Sequence, residues 1–302
     1  MPELPEVETT VRGLRNKIIG RKIKGVWTDW PKYFKNSSKE EFKDCVIGEK
    51  IEGIERKGKN ILFILSKEKI LLVHMKMTGH FLVGKWEERK GVDKVYNKKW
   101  EDEKWIPESR TGKMMDPKNR FIRLIFYLNN NQMLALSDMR RFAKVICGAK
   151  EEILNSRDLD LGVDPLSKDF SFEVFKNILS NRRKRIKTLL MDQKIISGIG
   201  NIYSDEVLWR AKIHPLTPSN EIKEDKVRVL HQEIINILRR AVKLGGTSTD
   251  DFRDPNGIKG RYGRELDVYQ KDGEKCKRCG GEITRIKIGG RSARFCPKCQ
   301  KK

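Results

Sequence analysis

The chain has 302 residues, which is enough for a buried core and suggests about two domains. Its 65 Lys and Arg against 42 Asp and Glu give a formal net charge of +23, so a polyanionic partner is expected, with nucleic acid as the first candidate. The apolar stretches are interrupted by Lys and Glu before they reach spanning length, and the acidic start does not resemble a secretory signal. We therefore exclude a membrane protein and expect a soluble, cytoplasmic one.

The first predicted element is an amphipathic helix over residues 5–19, because apolar residues recur there at helical spacing. Residues 22–147 instead contain short β-rich runs such as NILFIL and FIRLIFYL, separated by Gly, Asn and Lys turns, which predicts an antiparallel sandwich or barrel. A charged stretch at about 84–116 is predicted to be an insertion on this scaffold rather than a core element. Its tryptophans would either extend nucleic-acid contact or pack locally.

Beyond residue 150 the apolar periodicity becomes helical. Amphipathic helices are predicted over residues 170–192 and 202–212, and a third helix over 225–246 ends in a glycine C-cap. The turn QKIISGIGN between the first two, with the basic run RRKRIK upstream, could present backbone N–H groups to phosphate. An ordinary helical hairpin would have the same pattern.

The C-terminus carries the motifs CKRC and CPKC. This spacing predicts a site for one structural Zn²⁺, because four thiolates leave no open coordination position; the ligands are Cys276, Cys279, Cys296 and Cys299. In a reducing compartment such paired cysteines indicate metal before disulfide. The sequence between them predicts a β-hairpin that turns at Gly289 and Gly290, with Arg291 near its tip. The residues alone do not distinguish Arg291 from the other cations of the hairpin.

The opening sequence MPELPEVETT suits a helix start, since Pro and Glu are favoured in the first turn. It also permits chemistry. If Met1 is removed, Pro2 becomes a secondary amine whose reference pKa, about 7.7–8.0, is well below that of lysine. Such an amine can attack a sugar C1′ and form an iminium, while Glu3 could shuttle a proton to the ring oxygen.

Several stretches resemble the formamidopyrimidine-DNA glycosylase family: MPELPEVETTVRGL, RKGKNILF, HMKMTGHF, SDMRRFAKV, LMDQKIISGIGNIYSDEVLWRAKIHP and GGTSTDDFRDPNGIKGRYGRELDVY, together with the zinc finger. The resemblance covers nearly the whole chain outside the insertion. It implies an α+β fold: an N-terminal helix and antiparallel β-sandwich domain at 1–150, a helix-two-turn-helix domain with a lesion loop at 151–270, and the zinc finger at 271–302.

The resemblance also implies an activity: excision of oxidised purines, chiefly 8-oxoguanine and formamidopyrimidines, followed by β,δ-elimination of the abasic strand. Pro2 would be the Schiff-base nucleophile and Glu3 the proton donor in base release. Lys59 would be the proton donor for β-elimination, and Arg291 would serve δ-elimination and grip a phosphate. The expected partner is damaged double-stranded DNA, bound by a monomer at the nucleoid.

Further roles follow from the same resemblance. The residues expected to contact DNA are Met77, Asn119, Arg140, Phe142, Arg182, Lys187 and Asn201, and those expected to recognise the lesion are Glu6, Thr247, Ser248, Thr249 and Asp250. Met77, Arg140 and Phe142 would fill the gap left by an extruded nucleotide. The sequence departs from the family pattern at Lys76, where the family often has glycine, and at Asn119, Met139 and Asp250. The departure at Asp250 bears on the preference for 8-oxoguanine.

Two other functions compete with this interpretation. The first is the sister class that removes oxidised pyrimidines with the same proline chemistry. The second is a non-catalytic protein that binds damaged DNA, or a zinc-ribbon module that binds RNA. A binding module has no use for Pro2, Glu3 and Lys59 together, which favours an enzyme.

Overall fold

The computed structural model describes residues 1–89, 103–109, 111–249 and 251–302. It divides into two compact units, Met1–Leu159 with Gly245–Arg261, and Asp160–Leu244 with Tyr262–Lys302. The segment Gly245–Arg261 therefore makes its contacts with the N-terminal unit, although it follows the helical region in sequence. The three-domain division stays a prediction. Within the described residues, no helix combines the length and the apolarity that crossing a bilayer requires.

Helix α1 (Leu4–Ile18) begins the first unit, close to its predicted bounds. Glu3 and Glu6 form a reciprocal capping box, and Pro5 lies in the first turn, so the start of the helix is specified locally. The face made by Val7, Val11 and Leu14 is fully buried. The helix is therefore held mainly by packing on the β-sheet core.

Two four-stranded antiparallel sheets make up the predicted sandwich. One has the strand order β1 (Ile23–Thr28), β8 (Ile122–Leu128), β9 (Met133–Ser137) and β5 (His80–Gly84). The other has the order β10 (Lys144–Ala149), β4 (Lys69–His74), β3 (Asn60–Leu65) and β2 (Ile51–Lys57). The inward-facing side chains of both sheets, with those of α1 and α2 (Lys39–Val46), form one continuous core. A short helix α3 (Lys150–Leu154) follows β10.

The base of the inserted stretch is a two-stranded hairpin, β6 (Trp86–Glu88) paired with β7 (Trp105–Pro107). Trp86 and Trp105 are 3% and 5% exposed and pack on the outer face of the first sheet, where the Trp105 ring meets the edge of Trp27 at 5.1 Å. Of the two alternatives left open for the tryptophans of this stretch, these two therefore pack locally, and they belong to a buried cluster that an insertion outside the core was not expected to form. The rest of the insertion, residues 90–102 and 110, lies outside the described residues.

A disulfide joins Cys45 of α2 to Cys147 of β10, two positions 102 residues apart in sequence. Cys147 is buried in the core and Cys45 packs against its edge. Cysteine spacing does not indicate this pair, because the two residues meet only when α2 packs on the edge strand. The disulfide is separate from the four C-terminal cysteines.

The second unit contains α4 (Phe172–Ser180), α5 (Ile186–Leu190), α6 (Asn201–Arg210) and α7 (Glu224–Lys243). The single helix predicted over 170–192 is wrong, because the chain breaks between α4 and α5. There the carbonyl of Lys184 accepts the N–H of Ser219 at 2.8 Å, and the N–H of Ile186 donates to the Thr217 carbonyl at 2.8 Å. The basic run thus pairs with a neighbouring segment instead of placing like charges one helical turn apart.

Helix α6 is not amphipathic as predicted, because every residue from Ile202 to Trp209 is buried. Its polar members have internal partners. Asp205 pairs with the ammonium of Lys187 at 2.6 Å, and both side chains are 1% exposed. The carboxylate of Glu206 accepts the backbone N–H groups of three consecutive residues, Asp267, Val268 and Tyr269, at 2.8 to 3.0 Å. Helix α7 ends, as predicted, just before glycines, and Gly245 has a φ of +77°.

The C-terminal hairpin pairs β11 (Thr284–Ile288) with β12 (Arg291–Phe295). Its two-residue turn is formed by Gly289 and Gly290, with φ of 55° and 75°. Positive φ at both central residues is the geometry that matches the twist of a tight hairpin. The predicted turn is confirmed, and it places Arg291 as the first residue after it.

Candidate active site and nucleic-acid interface

The N-terminus of α1 lies toward the turn that joins β2 to β3. Glu8, near the start of the helix, contacts Arg56 at 2.8 Å, whereas Arg15, near its end, donates to the carbonyl of Ile54 at 3.1 Å. Helix and strand therefore run antiparallel. The first residues of the chain and the turn that carries Lys59 are directed to the same edge of the sandwich.

The three residues expected to perform the chemistry of this first unit are buried there. Pro2 is buried, Glu3 is 1% exposed and Lys59 is 7% exposed. The N–H of Glu3 donates to the Glu6 carboxylate at 2.8 Å, which fixes the backbone next to Pro2. Lys59 follows Gly58, whose φ of 56° completes the two-residue turn between Lys57 and Asn60. The predicted catalytic groups thus lie on locally well-determined backbone.

Positive charge is concentrated beside this turn. His74 is opposite Asn60 in the sheet, and its pKa falls to about 3, first because the ring is buried and then because the ammonium groups of Lys76 and Lys59 oppose a further charge. Burial, and next the charge of Lys144, also lowers the pKa of Lys76. The Lys144 ammonium is paired with both oxygens of Asp158 at 2.7 Å, so Lys59 and Lys76 are the cations of this group that could attract an anion such as phosphate.

Asp138 joins the two segments that carry the predicted wedge residues. Its buried carboxylate accepts the hydroxyl of Thr78, next to Met77, and the N–H of Ala143, next to Phe142, at 2.5 and 2.9 Å. It also accepts the Tyr33 hydroxyl at 3.1 Å, and the pKa of that phenol is raised, first by burial and then by the Asp138 charge. Asp138 was not predicted as a site residue. The only indication in the sequence is an acidic residue directly after the apolar run of β9.

The wedge candidates themselves face outward. Phe142 is 51% exposed, Arg140 is exposed, and the Arg140 guanidinium lies over the Phe142 ring at 4.6 Å. Met77 is half-buried. An exposed phenyl ring and an exposed guanidinium are more typical of a binding surface than of a core.

Backbone strain accompanies both wedge segments. Lys76 and Arg141, each next to a wedge candidate, have φ of 55° and 57°, which is the left-handed region that non-glycine residues rarely adopt. Such conformations cost of order 1–3 kcal/mol and cluster at functional sites. The glycine expected by family resemblance at position 76 would relieve this strain. Its replacement by lysine retains the backbone shape and adds a charge.

The predicted lesion loop is tied to α1 through Glu6. The second oxygen of the Glu6 carboxylate accepts the N–H of Thr247 at 2.7 Å, and Gly246, with φ of +80°, lies so close that a Cβ there would be 2.9 Å from the same oxygen. Ser248 joins two other parts of the loop. Its hydroxyl donates to the Phe252 carbonyl and accepts the N–H of Gly260. Thr249 is half-buried, and Asp250 lies outside the described residues.

Two predicted DNA contacts are not supported by the geometry. Asn119 is fully buried; its amide donates to the Lys113 carbonyl at 3.0 Å, and its oxygen contacts the His80 ring at 3.0 Å. Lys187 is 1% exposed and bonded to Asp205 and Ser204. Neither side chain presents a polar group to solvent. Both side chains instead stabilise the fold through buried hydrogen bonds.

The other predicted contacts of the second unit are more accessible. Arg182 and Arg291 are exposed, and Asn201 begins α6 directly after Gly200. Arg291 is the first residue after the hairpin turn, and it pairs with Ile288 on the opposite strand. The two exposed guanidinium groups agree with contact to a backbone phosphate, whereas Asn201 is only partly exposed and its Oδ1 atom is buried.

The four C-terminal cysteines place their sulfur atoms within 4.8 Å of one another. The Nε1–H of Trp209 donates to the Cys276 sulfur at 3.4 Å, and such an N–H donor favours the thiolate over the thiol. A thiolate accepting such donors is ready to bind a soft divalent cation. The donor set and the compact cluster fit tetrahedral zinc.

Three family profiles match the chain in order. Residues 1–145 match the formamidopyrimidine-DNA glycosylase N-terminal domain, residues 161–253 match its H2TH domain, and residues 273–302 match a zinc finger found in FPG and IleRS. The fold and the site therefore define a zinc-finger protein of the H2TH class. The cysteine cluster holds one structural zinc ion.

Proteins of known name align with the chain from end to end. A formamidopyrimidine-DNA glycosylase of Rippkaea orientalis is 37% identical, covering 99% of this chain and 100% of the relative, and one of Pelotomaculum thermopropionicum is 36% identical, covering 100% and 99%. The Lactococcus lactis Fpg in complex with an abasic site containing DNA superposes with a TM-score of 0.83 at 33% identity, covering 99% of this chain and all of that one. The chain belongs to the formamidopyrimidine-DNA glycosylase family.

Proposed function

We propose that the protein removes oxidised purines from double-stranded DNA and then cleaves the strand at the resulting abasic site. One observation carries the proposal. The start of α1, with Pro2 and Glu3, is directed to the edge of the sandwich that carries Lys59. This shared direction supports a site in which the Pro2 amine, the Glu3 carboxylate and the Lys59 ammonium group act on one nucleotide, as in a bifunctional glycosylase and lyase.

The chemistry begins once Met1 has been removed. The Pro2 nitrogen attacks C1′ of the damaged nucleotide, and the bond from C1′ to the base breaks as Glu3 delivers a proton. Glu3 then carries the proton lost by the Pro2 nitrogen to the ring oxygen O4′, and the C1′–O4′ bond breaks to leave an iminium. This iminium has no N–H proton to lose, because proline is a secondary amine. It therefore acts as an electron sink for the two eliminations that follow.

Strand cleavage uses two cations. Lys59 is the proton donor in β-elimination, and it is 7% exposed in the turn between β2 and β3. Arg291 serves δ-elimination and binds the phosphate next to the lesion, as its exposed position after the hairpin turn permits.

Base extrusion requires groups that replace the lost stacking. Met77 and Phe142 supply a thioether and a phenyl ring, and the guanidinium of Arg140 can pair with the orphaned base. The Asp138 carboxylate fixes both segments relative to each other, so the three groups are presented together. Glu6, Thr247, Ser248 and Thr249 would hold the extruded base.

The partner in this proposal is damaged double-stranded DNA, bound by a monomer at the nucleoid in the cytoplasm. Arg182 and Asn201 would contact backbone phosphates, and the net charge of +23 would strengthen binding to any duplex. The Lactococcus lactis Fpg has been solved with DNA containing an N7-benzyl-Fapy-dG and also with DNA containing an oxidised pyrimidine, so the choice between the two substrates is tested below.

Borohydride trapping on a duplex with 8-oxoguanine opposite cytosine tests the proposal. We expect a covalent protein–DNA adduct that maps to the N-terminal peptide lacking Met1. Pro2→Gly should reduce the yield of adduct, and Glu3→Gln should abolish base release while an abasic duplex is still trapped. Lys67→Met, which removes an amine that is 77% exposed, is the matched control and should trap like the wild type.

Two results would contradict the proposal. If the adduct maps to a lysine in an active preparation, Pro2 is not the nucleophile. If thymine glycol is excised faster than 8-oxoguanine, the substrate is an oxidised pyrimidine and the sister class is the better assignment.

A further inference from the structure

A buried ion pair connects the predicted lesion loop to the β-sandwich. Arg253 is 3% exposed, and its guanidinium makes two hydrogen bonds of 3.0 Å to the Asp116 carboxylate, one from Nε and one from Nη2. Its Nη1 donates to the Phe252 carbonyl at 2.8 Å. A planar guanidinium bonded to both oxygens of a carboxylate fixes orientation as well as distance.

Asp116 also makes a hydrogen bond to the turn that follows it in sequence. Its Oδ1 atom accepts the N–H of Lys118 at 2.9 Å and so caps the short turn Pro117–Arg120. That turn is attached to the sheet, because the buried Asn119 in it contacts His80 of β5. The carboxylate therefore lies at the junction between the sheet edge and the loop.

Neighbouring contacts hold the same stretch of the loop. Lys118 pairs with Asp251 at 2.7 Å, and the N–H of Val83 donates to the Pro255 carbonyl at 3.0 Å. Gly257 approaches so closely that a Cβ there would lie 2.7 Å from the Asn119 amide nitrogen. The C-terminal half of the loop is thus fixed to the first unit, while its N-terminal end is fixed by Glu6.

We propose that the Arg253–Asp116 pair is a positioning element that fixes the predicted lesion loop relative to the edge of the sheet. The proposal rests on the proposed function. Removing a buried charge from its partner is costly, so the pair holds one loop arrangement against alternatives. Lys259 also approaches Asp116, but at 3.9 Å and with its side chain 65% exposed, so it contributes little to the position of the loop.

The experiment compares two activities of the full-length zinc protein. Excision of 8-oxoguanine needs the loop, whereas cleavage of a preformed abasic site has no base to hold. We expect Arg253→Met and Asp116→Asn each to lower the single-turnover rate of excision about tenfold. Cleavage of the abasic duplex should stay within about twofold of the wild type. The double variant should be no slower than either single variant, because both remove the same contact.

Arg253→Lys and Lys259→Met complete the design. Arg253→Lys restores charge without the two-point geometry and should recover only part of the excision rate. Lys259→Met is the matched control at the same carboxylate and should leave both rates unchanged. If Arg253→Met fails to fold, Arg253→Lys and Asp116→Asn carry the same comparison.

The outcomes are distinct. An equal loss of both activities shows that the pair only stabilises the fold, and no loss of either shows that the loop does not depend on it; each result overturns the proposal. If the wild-type protein itself cleaves abasic DNA but leaves oxidised purines in place, the proposed function fails, whatever the variants do.

Discussion

The carboxylate of Glu6 accepts the N–H of Thr247, 241 positions further along the chain, at 2.7 Å, and it also accepts the N–H of Glu3 at 2.8 Å. Glu6 is 1% exposed. One side chain therefore fixes the backbone beside the predicted nucleophile and the entry of the predicted lesion loop. Disturbing it should affect both.

Glu6→Gln keeps the shape of the side chain but leaves a single acceptor oxygen for two N–H groups. One buried donor then loses its partner, which we expect to cost about 1–3 kcal/mol in the free energy of unfolding. Excision of 8-oxoguanine should fall more than cleavage of a preformed abasic site, because the loop is released. Denaturant unfolding and single-turnover assays measure the two effects.

Glu40→Gln is the control for this variant, because Glu40 is an exposed residue in the first turn of α2. Its unfolding free energy should lie within about 0.5 kcal/mol of the wild type. An equally small effect of Glu6→Gln would show that the two backbone bonds do not stabilise the fold.

The ion pair between Asp116 and Arg253 should make the fold less stable in acid. Burial acts to raise the pKa of Asp116, but the hydrogen bonds and charge of Arg253 outweigh it, and the folded-state pKa lies below the ordinary 3.8. The resulting stabilisation is complete above the unfolded pKa and is lost as pH falls through the folded value. The difference in unfolding free energy between wild type and Asp116→Asn should therefore shrink from pH 6 towards pH 3, by urea titration at each pH. A constant difference would refute the assignment.

Because Lys187 is buried against Asp205, we expect its replacement to lower the stability of the fold and to leave DNA binding unchanged. Lys187→Met leaves the Asp205 carboxylate buried and without its cation, which we expect to cost about 3–5 kcal/mol. Lys184→Met is the matched control, because the Lys184–Asp192 pair is partly exposed and should matter by only about 1 kcal/mol. The salt dependence of duplex binding by folded Lys187→Met should match the wild type, whereas loss of a phosphate contact would reduce the slope by about one.

The Lys187–Asp205 pair should also make the stability of the fold depend on pH. Burial raises the pKa of Asp205 to about 7 even though Lys187 opposes the shift. A carboxyl with a raised pKa favours folding more as pH falls from the folded value towards the unfolded 3.8. Lys187→Met should therefore be less destabilised at pH 5 than at pH 8. The reverse order would mean that the carboxylate stays charged and finds another partner.

The Cys45–Cys147 disulfide predicts that reduction weakens the fold. It closes a loop of 102 residues, and loss of such a link typically costs about 2–5 kcal/mol. A non-thiol reductant should lower the thermal unfolding midpoint of the zinc-loaded wild type. The Cys45→Ala, Cys147→Ala double variant keeps the zinc cysteines and should not respond; if it responds like the wild type, the effect comes from the metal site.

Local features were predictable from sequence. The start of α1, the strands of the sandwich, the end of α7 and the turn at Gly289–Gly290 follow from apolar periodicity and turn residues, which act over a few positions. The zinc ligands follow from cysteine spacing alone. Pro2 and Glu3 emerged as candidates from the chemistry of an N-terminal amine, but the roles of Lys59 and Arg291 required the resemblance.

Features decided by distant partners were not predictable. The break between α4 and α5 depends on residues 217–219, which take up the backbone groups of the basic run. Helix α6 is polar in sequence yet buried, because Lys187 and the linker before the zinc finger satisfy Asp205 and Glu206. The bonds of Asp138 to Thr78 and Tyr33, the pair of Arg253 with Asp116 and the disulfide likewise join residues at least 60 positions apart, so no short sequence window contains both partners.

The Glu206 carboxylate accepts the N–H groups of three consecutive residues, and the last of these, Tyr269, lies seven residues before Cys276, the first zinc ligand. This arrangement constrains the length of the connector more than its composition, since the donors belong to the backbone. One inserted residue there would put the amides out of phase with the carboxylate or pull the metal-binding hairpin from α6. A hairpin transplanted from another homologue would therefore have to keep the spacing of 267–276, while most side chains along it could change.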